Sequence, residues 1–167
     1  AIITPMITAI AQRIFTLLAE NNIPHKILPH DEPVFTIETA AQQRDVITET
    51  MVKSILLRES RKDTPRYAMS CVPGHLQVHP QAVRAVLPPE WKRLTFASKE
   101  EITAVTTYIM GAVSPLCLPP AIPIIFDETF TQLTAVSISS GDPEFGIELA
   151  ASDLIRLVKP IIAPITR

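Results

Sequence analysis

Sixteen prolines punctuate this chain, and most of them fall where an apolar run ends or a loop turns. Proline has no backbone N–H and a fixed φ, so each one interrupts a helix or a central strand and stiffens the loop around it. The elements between them must be short, and the spacing of apolar residues tells their type. Ile7, Ile10, Ile14, Leu17 and Leu18 make one helical stripe over Pro5 to Asn21, stopped by Asn21-Asn22. HKILPH reads as a short strand, and TIETAAQQ as a short helix with Thr36 near its cap. MVKSILLRE and RYAMSCV read as strands joined by a polar loop, and HPQAVRAVL as a helix. LTFAS follows as a strand, and KEEITAVT as a helix opened by Ser98 and Glu101 at capping-box spacing. IPIIF, LTAVSIS and FGIEL supply three late strands, and SDLIRLV a last helix starting at Ser152 or Asp153. Strands and helices are mixed without the strict alternation of a doubly wound fold. The predicted class is α/β (α+β), a mixed, curled β-sheet or barrel-like core surrounded by short helices.

Residues 1–167 are expected to form a single domain, because a chain of that length supports one sizeable core. No apolar run approaches the roughly 20 residues that span a bilayer. The opening AIITPMITAI carries no basic leader or small-residue cleavage site, so the expected location is cytoplasmic. Cys71 and Cys117 are too few for a disulfide scaffold and are read as thiols. A net charge of −2 cannot coat a long phosphate backbone, so any nucleic-acid contact must be local. The densest basic points are Arg58, Arg61, Lys62 and Arg66, then Lys92, Arg93 and Lys99; such clusters are most often solvated loops, with contact to nucleic acid the lesser alternative.

Two features point to chemistry. In TTYIMGAVSPLCLPP, Gly111 permits backbone angles barred to other residues, while Pro115 fixes its own torsion and extends Ser114. A rigid turn of this kind can be a structural link between helix and strand, or can present its N–H groups to a phosphate or to the oxyanion formed when an ester is attacked. In TMVKSILLR, Lys53 sits among Met51, Val52, Ile55, Leu56 and Leu57, and must either snorkel to the surface or hold its ammonium beside an anion.

Together with PIIFDETF and AVSISSGDPEFGIELAASDLIRLV, these stretches resemble, in order and spacing, the YbaK and prolyl-tRNA synthetase-associated editing domain family, from about Ile23 to Val158. The resemblance implies a free-standing trans-editing enzyme that hydrolyses amino acids wrongly attached to tRNA, most typically tRNA for proline, with no cofactor and no metal. It places the family's lysine at Lys53 and its glycine-to-proline loop at Gly111, Ala112, Val113, Ser114 and Pro115. It also assigns an acidic position to Asp127, a small-residue turn to Ser140 and Gly141, and the wall of the amino acid pocket to Phe35 and Thr36. The implied mechanism is attack by water on the ester, with its carbonyl oxygen at the loop amides, the terminal adenosine held through Lys53, and no side-chain nucleophile. Implied partners are tRNA, through its aminoacylated 3′ end, and an aminoacyl-tRNA synthetase. Alanine and cysteine lead as the amino acid removed, with serine or threonine behind.

Several alternatives stand beside these assignments. Asp127 can cap a helix instead of touching substrate, and Phe35 can be plain core. Thr107 and Cys117 occupy places where the family often has glycine, and Met110 also departs from its usual pattern. Cys71, His75 and His79 recur every four residues, yet Pro73, Gly74 and Pro80 break the helix that zinc ligation on one face would need. The same scaffold could also bind tRNA or a synthetase without hydrolysing anything.

Overall fold

The structure, a computed structural model, describes residues 7–61 and 63–167; Pro5, where the first helix was expected to begin, and Lys62 of the basic loop lie outside them. Helix α1 (Ala9–Glu20) starts after Thr8, whose hydroxyl accepts from the Ala11 N–H, and buries Ala11, Ile14 and Leu18. Strand β1 (His25–Pro29) and α2 (Ile37–Arg44) follow, the helix capped by Thr36 as its sequence predicts. The hairpin strands β2 (Val52–Glu59) and β3 (Tyr67–Pro73) lead to α3 (Pro80–Ala85), β4 (Leu94–Phe96) and α4 (Lys99–Thr106). At the start of α4 both halves of the Ser98–Glu101 capping box are formed. The last third holds β5 (Ile124–Asp127), β6 (Ala135–Ser139), β7 (Phe145–Ala150), α5 (Ala151–Val158) and β8 (Ile161–Ala163). Helix α5 begins earlier than its sequence suggested: Ala150 is its cap, without a side-chain bond, and Ser152 and Asp153 lie inside the first turn.

The strands form two sheets, where a single curled sheet or barrel-like core was expected. One is antiparallel, in the order β1-β7-β6; the other is mixed, in the order β4-β2-β3-β5-β8. The late strands divide between them. Strand β5, an almost continuous apolar run, enters the larger sheet parallel to β3, whereas β6 and β7 form a hairpin that pairs with β1. Strand β8, three residues between prolines and unforeseen from the sequence, adds parallel to β5.

The alternation of side chains along β2 divides the interior. Val52 and Leu56 join the main core, where Ile14, Leu18, Ile102 and Leu154 of the helices meet Val136, Ile138, Ile147 and Leu149 of the smaller sheet. Leu57 lies on the other face, in a second core with Val72, Val83 and Trp91, and Ile55 packs against it. The two sheets touch through one parallel bridge, Met51 to Ser137, and part beyond it.

Candidate functional site

The parting of the sheets leaves a gap beside β2. On one side β2 is paired with β3 along its length, from Val52–Pro73 to Arg58–Tyr67. On the other, β4 reaches only Leu57 to Glu59, followed by a bond from the Ala97 N–H to the Leu56 carbonyl at 3.1 Å. Peptide groups alternate in direction along a strand, so those of Ser54 point the same way as the Leu56 carbonyl, into the gap. No strand is paired with Ser54 on that side among the described residues. A cleft of about 440 Å³ fills this space and is lined by every residue from Met51 to Leu56. Five consecutive β2 residues, 52–56, belong to both faces of the sheet, so the cleft opens on the strand's edge. Thr36, Ile37 and Arg44 of the α2 region, Phe96 and Ala97, Met110, Gly111 and Val113, and Ser139 are among the other wall residues.

Lys53 lies on the side of β2 that carries Ile55 and Leu57, opposite the face on which Val113 packs, and reaches the cleft around the open edge. It is half-buried, and its Nζ donates to the Leu76 carbonyl at 2.5 Å. Burial lowers its pKa from the ordinary lysine value, against the opposing effect of Glu38. Its ammonium is thus held by a carbonyl of the turn that follows β3, outside the cleft lining.

The loop itself is fixed by local bonds. Gly111 has φ +91°, and the Ala112 N–H closes a turn onto the Ile109 carbonyl at 3.0 Å. A Cβ on Gly111 would stand 2.5 Å from the Phe35 carbonyl oxygen, so only glycine lets the turn approach the segment before α2. Beyond it, the Ser114 hydroxyl accepts from the Leu116 N–H at 3.3 Å, and buried Tyr108 donates its hydroxyl to the Leu116 carbonyl at 2.5 Å. Arg13 stacks over the Tyr108 ring at 4.8 Å. The amides of Gly111, Val113 and Ser114 have no acceptor among the described residues, but only Gly111 and Val113 line the cleft. Ala112 spends its N–H on the turn, and Pro115 has none; the loop residues that both line the cleft and keep an unpaired N–H are thus Gly111 and Val113, not a continuous run.

Of the other expected residues, Asp127, Ser140 and Gly141 fall outside the cleft lining, and Phe35 and Thr36 within it. Asp127 is buried, with Oδ2 accepting from the Thr129 N–H and hydroxyl and Oδ1 from the Ile165 N–H at 3.0 Å; it caps the short 3₁₀ turn at Glu128–Gln132 and does not line the cleft. Ser140 is buried too, its hydroxyl donating to the Phe145 carbonyl at 2.7 Å. Gly141 lines a neighbouring groove with Ile109 and Phe35. Phe35, 53% exposed, is a ridge shared by the groove and the cleft, and not core. Thr36 combines its place on the cleft wall with the α2 cap.

Thr107 and Cys117 both adopt the left-handed conformation, φ +66° and +58°, which explains why glycine would suit those places. Burial raises the Cys117 thiol above its ordinary pKa, which disfavours the reactive thiolate. Cys71 is on β3, His75 in the following turn and His79 just before α3, so the three share no helix; among the described residues no group of three or more potential ligands could hold a metal. Nor is any described helix long and apolar enough to cross a membrane.

Sequence reasoning missed Arg44, Ser54, Phe96 and Ser139. Of these Arg44 carried a signal, a charged residue at the end of an otherwise small and apolar helix face. The other three depend on which strand edge is left open.

Residues 31–157 match the aminoacyl-tRNA editing domain family, and the chain belongs to it. Among solved structures, the protein APE2540 superposes with a TM-score of 0.80 at 18% identity, covering 93% of this chain and 99% of its own. A candidate trans-editing enzyme for prolyl tRNA synthetase superposes at 0.79 with 20% identity, covering 97% of this chain and 99% of its own. A candidate signal transduction protein from Marinobacter aquaeolei VT8 contains the same fold as part of a longer chain: TM-score 0.62, 15% identity, with 96% of this chain covered and 31% of that one.

Proposed function

We propose that this chain is an aminoacyl-tRNA deacylase that acts in trans, hydrolysing the ester of a mischarged tRNA, with tRNA for proline as the expected carrier and a small amino acid, among alanine, cysteine, serine and threonine, as the cargo. The observation that carries the reading is the meeting, in one cleft of about 440 Å³, of Lys53, the open peptide edge of Ser54 and the free amides of Gly111 and Val113. Among the described residues that line it, two are cationic and none is acidic, which suits a nucleotide end within a chain of net charge −2. Membership of the editing family supports the same reaction.

In this reading the terminal ribose and its phosphate lie at the Lys53 end, and the ester carbonyl points at the Gly111 and Val113 amides. Those amides are fixed before substrate arrives, so charge developing on the carbonyl oxygen is stabilised without reorganisation. The ester is already activated, and a held water suffices as nucleophile. The cargo's amino group has the Ser54 carbonyl as an acceptor. Asp127 has no part in this arrangement, since its oxygens are occupied within the fold.

Incubation with alanyl- and cysteinyl-tRNA for proline, following release of the amino acid, tests the proposal. Wild-type protein is expected to accelerate release, and Lys53→Ala to lower the rate by about 100-fold or more, as losses of a positioning contact commonly do. Binding of the charged tRNA with no release above the buffer rate would leave the second reading, a recognition module of the same fold.

A further inference from the structure

Arg44 closes α2 on the wall of the cleft and is 92% buried, as its 8% exposure implies. Burying a guanidinium is costly unless an anion or several acceptors accompany it. Its Nε donates to His30 Nε2 at 3.0 Å, and His30 in turn donates Nδ1–H to the Pro143 carbonyl at 2.7 Å; this pair of bonds requires a neutral imidazole. Nη1 reaches the Ser137 hydroxyl at a long 3.4 Å. No carboxylate lies within ion-pairing distance among the described residues, and burial alone lowers the Arg44 pKa to about 10. Nη2 has no acceptor in the described protein, yet it is not among the sealed, partnerless nitrogens. It is therefore not sealed off, and Arg44 is a residue of the cleft lining.

The fold makes room for this group. On β7, a Cβ at Gly146 would stand 2.3 Å from Arg44 Nε, so a side chain there would displace the guanidinium. Ser137 and Ser139 of β6 put further hydroxyls on the same side, where the sheets part. A cation held without a counter-charge, with one free N–H fork toward a substrate cleft, is matched by a ligand oxygen.

We propose that Arg44 determines specificity in this cleft, selecting aminoacyl groups whose side chains end in an oxygen acceptor (hydroxyl, amide or carboxylate) over those ending in methyl or thiol. The inference rests on the editing reading above, and it moves serine, threonine and larger oxygen-bearing side chains ahead of alanine and cysteine. A phosphate is the other oxygen source in the substrate. Half-exposed Lys53 suits it, whereas Arg44 is buried and suits a group taken out of water.

The test uses stable 3′-amide-linked aminoacyl adenosines carrying alanine, cysteine, serine, asparagine or aspartate, titrated by calorimetry into the wild-type protein, Arg44→Met and Arg44→Lys. A 5′-phosphorylated alanyl compound is added as a phosphate control. A hydrogen bond to a charged group predicts that the best oxygen-bearing compound binds wild type roughly tenfold or more tightly than the alanyl one. Arg44→Met should bring that ratio close to one, and Arg44→Lys should restore part of it. Equal wild-type affinities for the alanyl and the oxygen-bearing compounds would overturn the inference. So would an Arg44→Met variant that loses only the preference for the 5′-phosphate, or that weakens every compound by the same factor. If circular dichroism shows Arg44→Met unfolded, the wild-type ranking decides. Failure of every compound to bind, together with no release from any charged tRNA, would remove the editing reading and this inference with it, an outcome distinct from a flat ranking.

Discussion

At the residue scale, the site depends on one backbone conformation. Gly111 pairs a positive φ with a position where a Cβ would meet the Phe35 carbonyl at 2.5 Å. Gly111→Ala is expected to cost about 1–3 kcal/mol of stability and to lower the deacylation rate more than binding, because the turn that aims the Gly111 and Val113 amides must shift. Urea unfolding and single-turnover deacylation measure the two effects; a variant with unchanged rate would show that the amides are not aimed at the reacting carbonyl. The importance of Gly111 was readable from its pairing with Pro115 and from the family pattern. The direction of Lys53 was not, since an apolar run surrounding a lysine says nothing of which strand edge is open. Asp127 shows a further limit: an acidic residue after a strand has the same local pattern whether it faces a ligand or caps the next turn, and only its bond to the distant Ile165 amide separates the two.

Among the elements, the β2–β3 hairpin carries its own pin. Glu59, fully buried at the end of β2, accepts Arg66 Nε at 3.1 Å and Nη2 at 2.7 Å, and the Lys92 N–H at 2.7 Å; Arg66 stacks on Trp91 at 4.6 Å. The Arg66 bonds foremost, helped by the Lys92 amide and opposed by burial, bring the Glu59 carboxyl from 4.5 down to about 2. A carboxylate with a depressed folded pKa contributes stability that is whole above its unfolded value and is lost as pH falls through its folded value. Unfolding free energy is thus expected to fall between about pH 4.5 and 2, and Glu59→Gln to remove that component of the pH dependence; an identical acid profile for the variant would contradict it. The basic residues around this loop, read from sequence as solvated or nucleic-acid-binding, are here partly committed to such internal pairs. Local signals fared best at this scale: Thr36 and Ser98 cap their helices as read, because a cap is settled by neighbouring residues. Strand β8 went unseen because three residues between prolines gain strand geometry only from β5, its partner far back in the chain.

For the whole molecule, the position of the cleft follows from how two sheets separate. The Met51–Ser137 bridge brings β6 to β2 and then releases it, leaving the Ser54 edge open between the bridge and β4. Such pairings join segments remote in sequence, and no local pattern encodes them; the mixed α/β class was legible, but the division into two sheets, and with it the position of the cleft, was not. A closed barrel would have paired that edge and left no site on it. If this seam receives the acylated end of a tRNA, as proposed, backbone amide shifts followed by nuclear magnetic resonance will report it on addition of a 3′-amide-linked aminoacyl adenosine. The Ser54, Gly111 and Val113 amides are predicted to shift together and to saturate with one affinity. Saturable shifts confined to the groove beside Gly141, or none at these three amides, would contradict it.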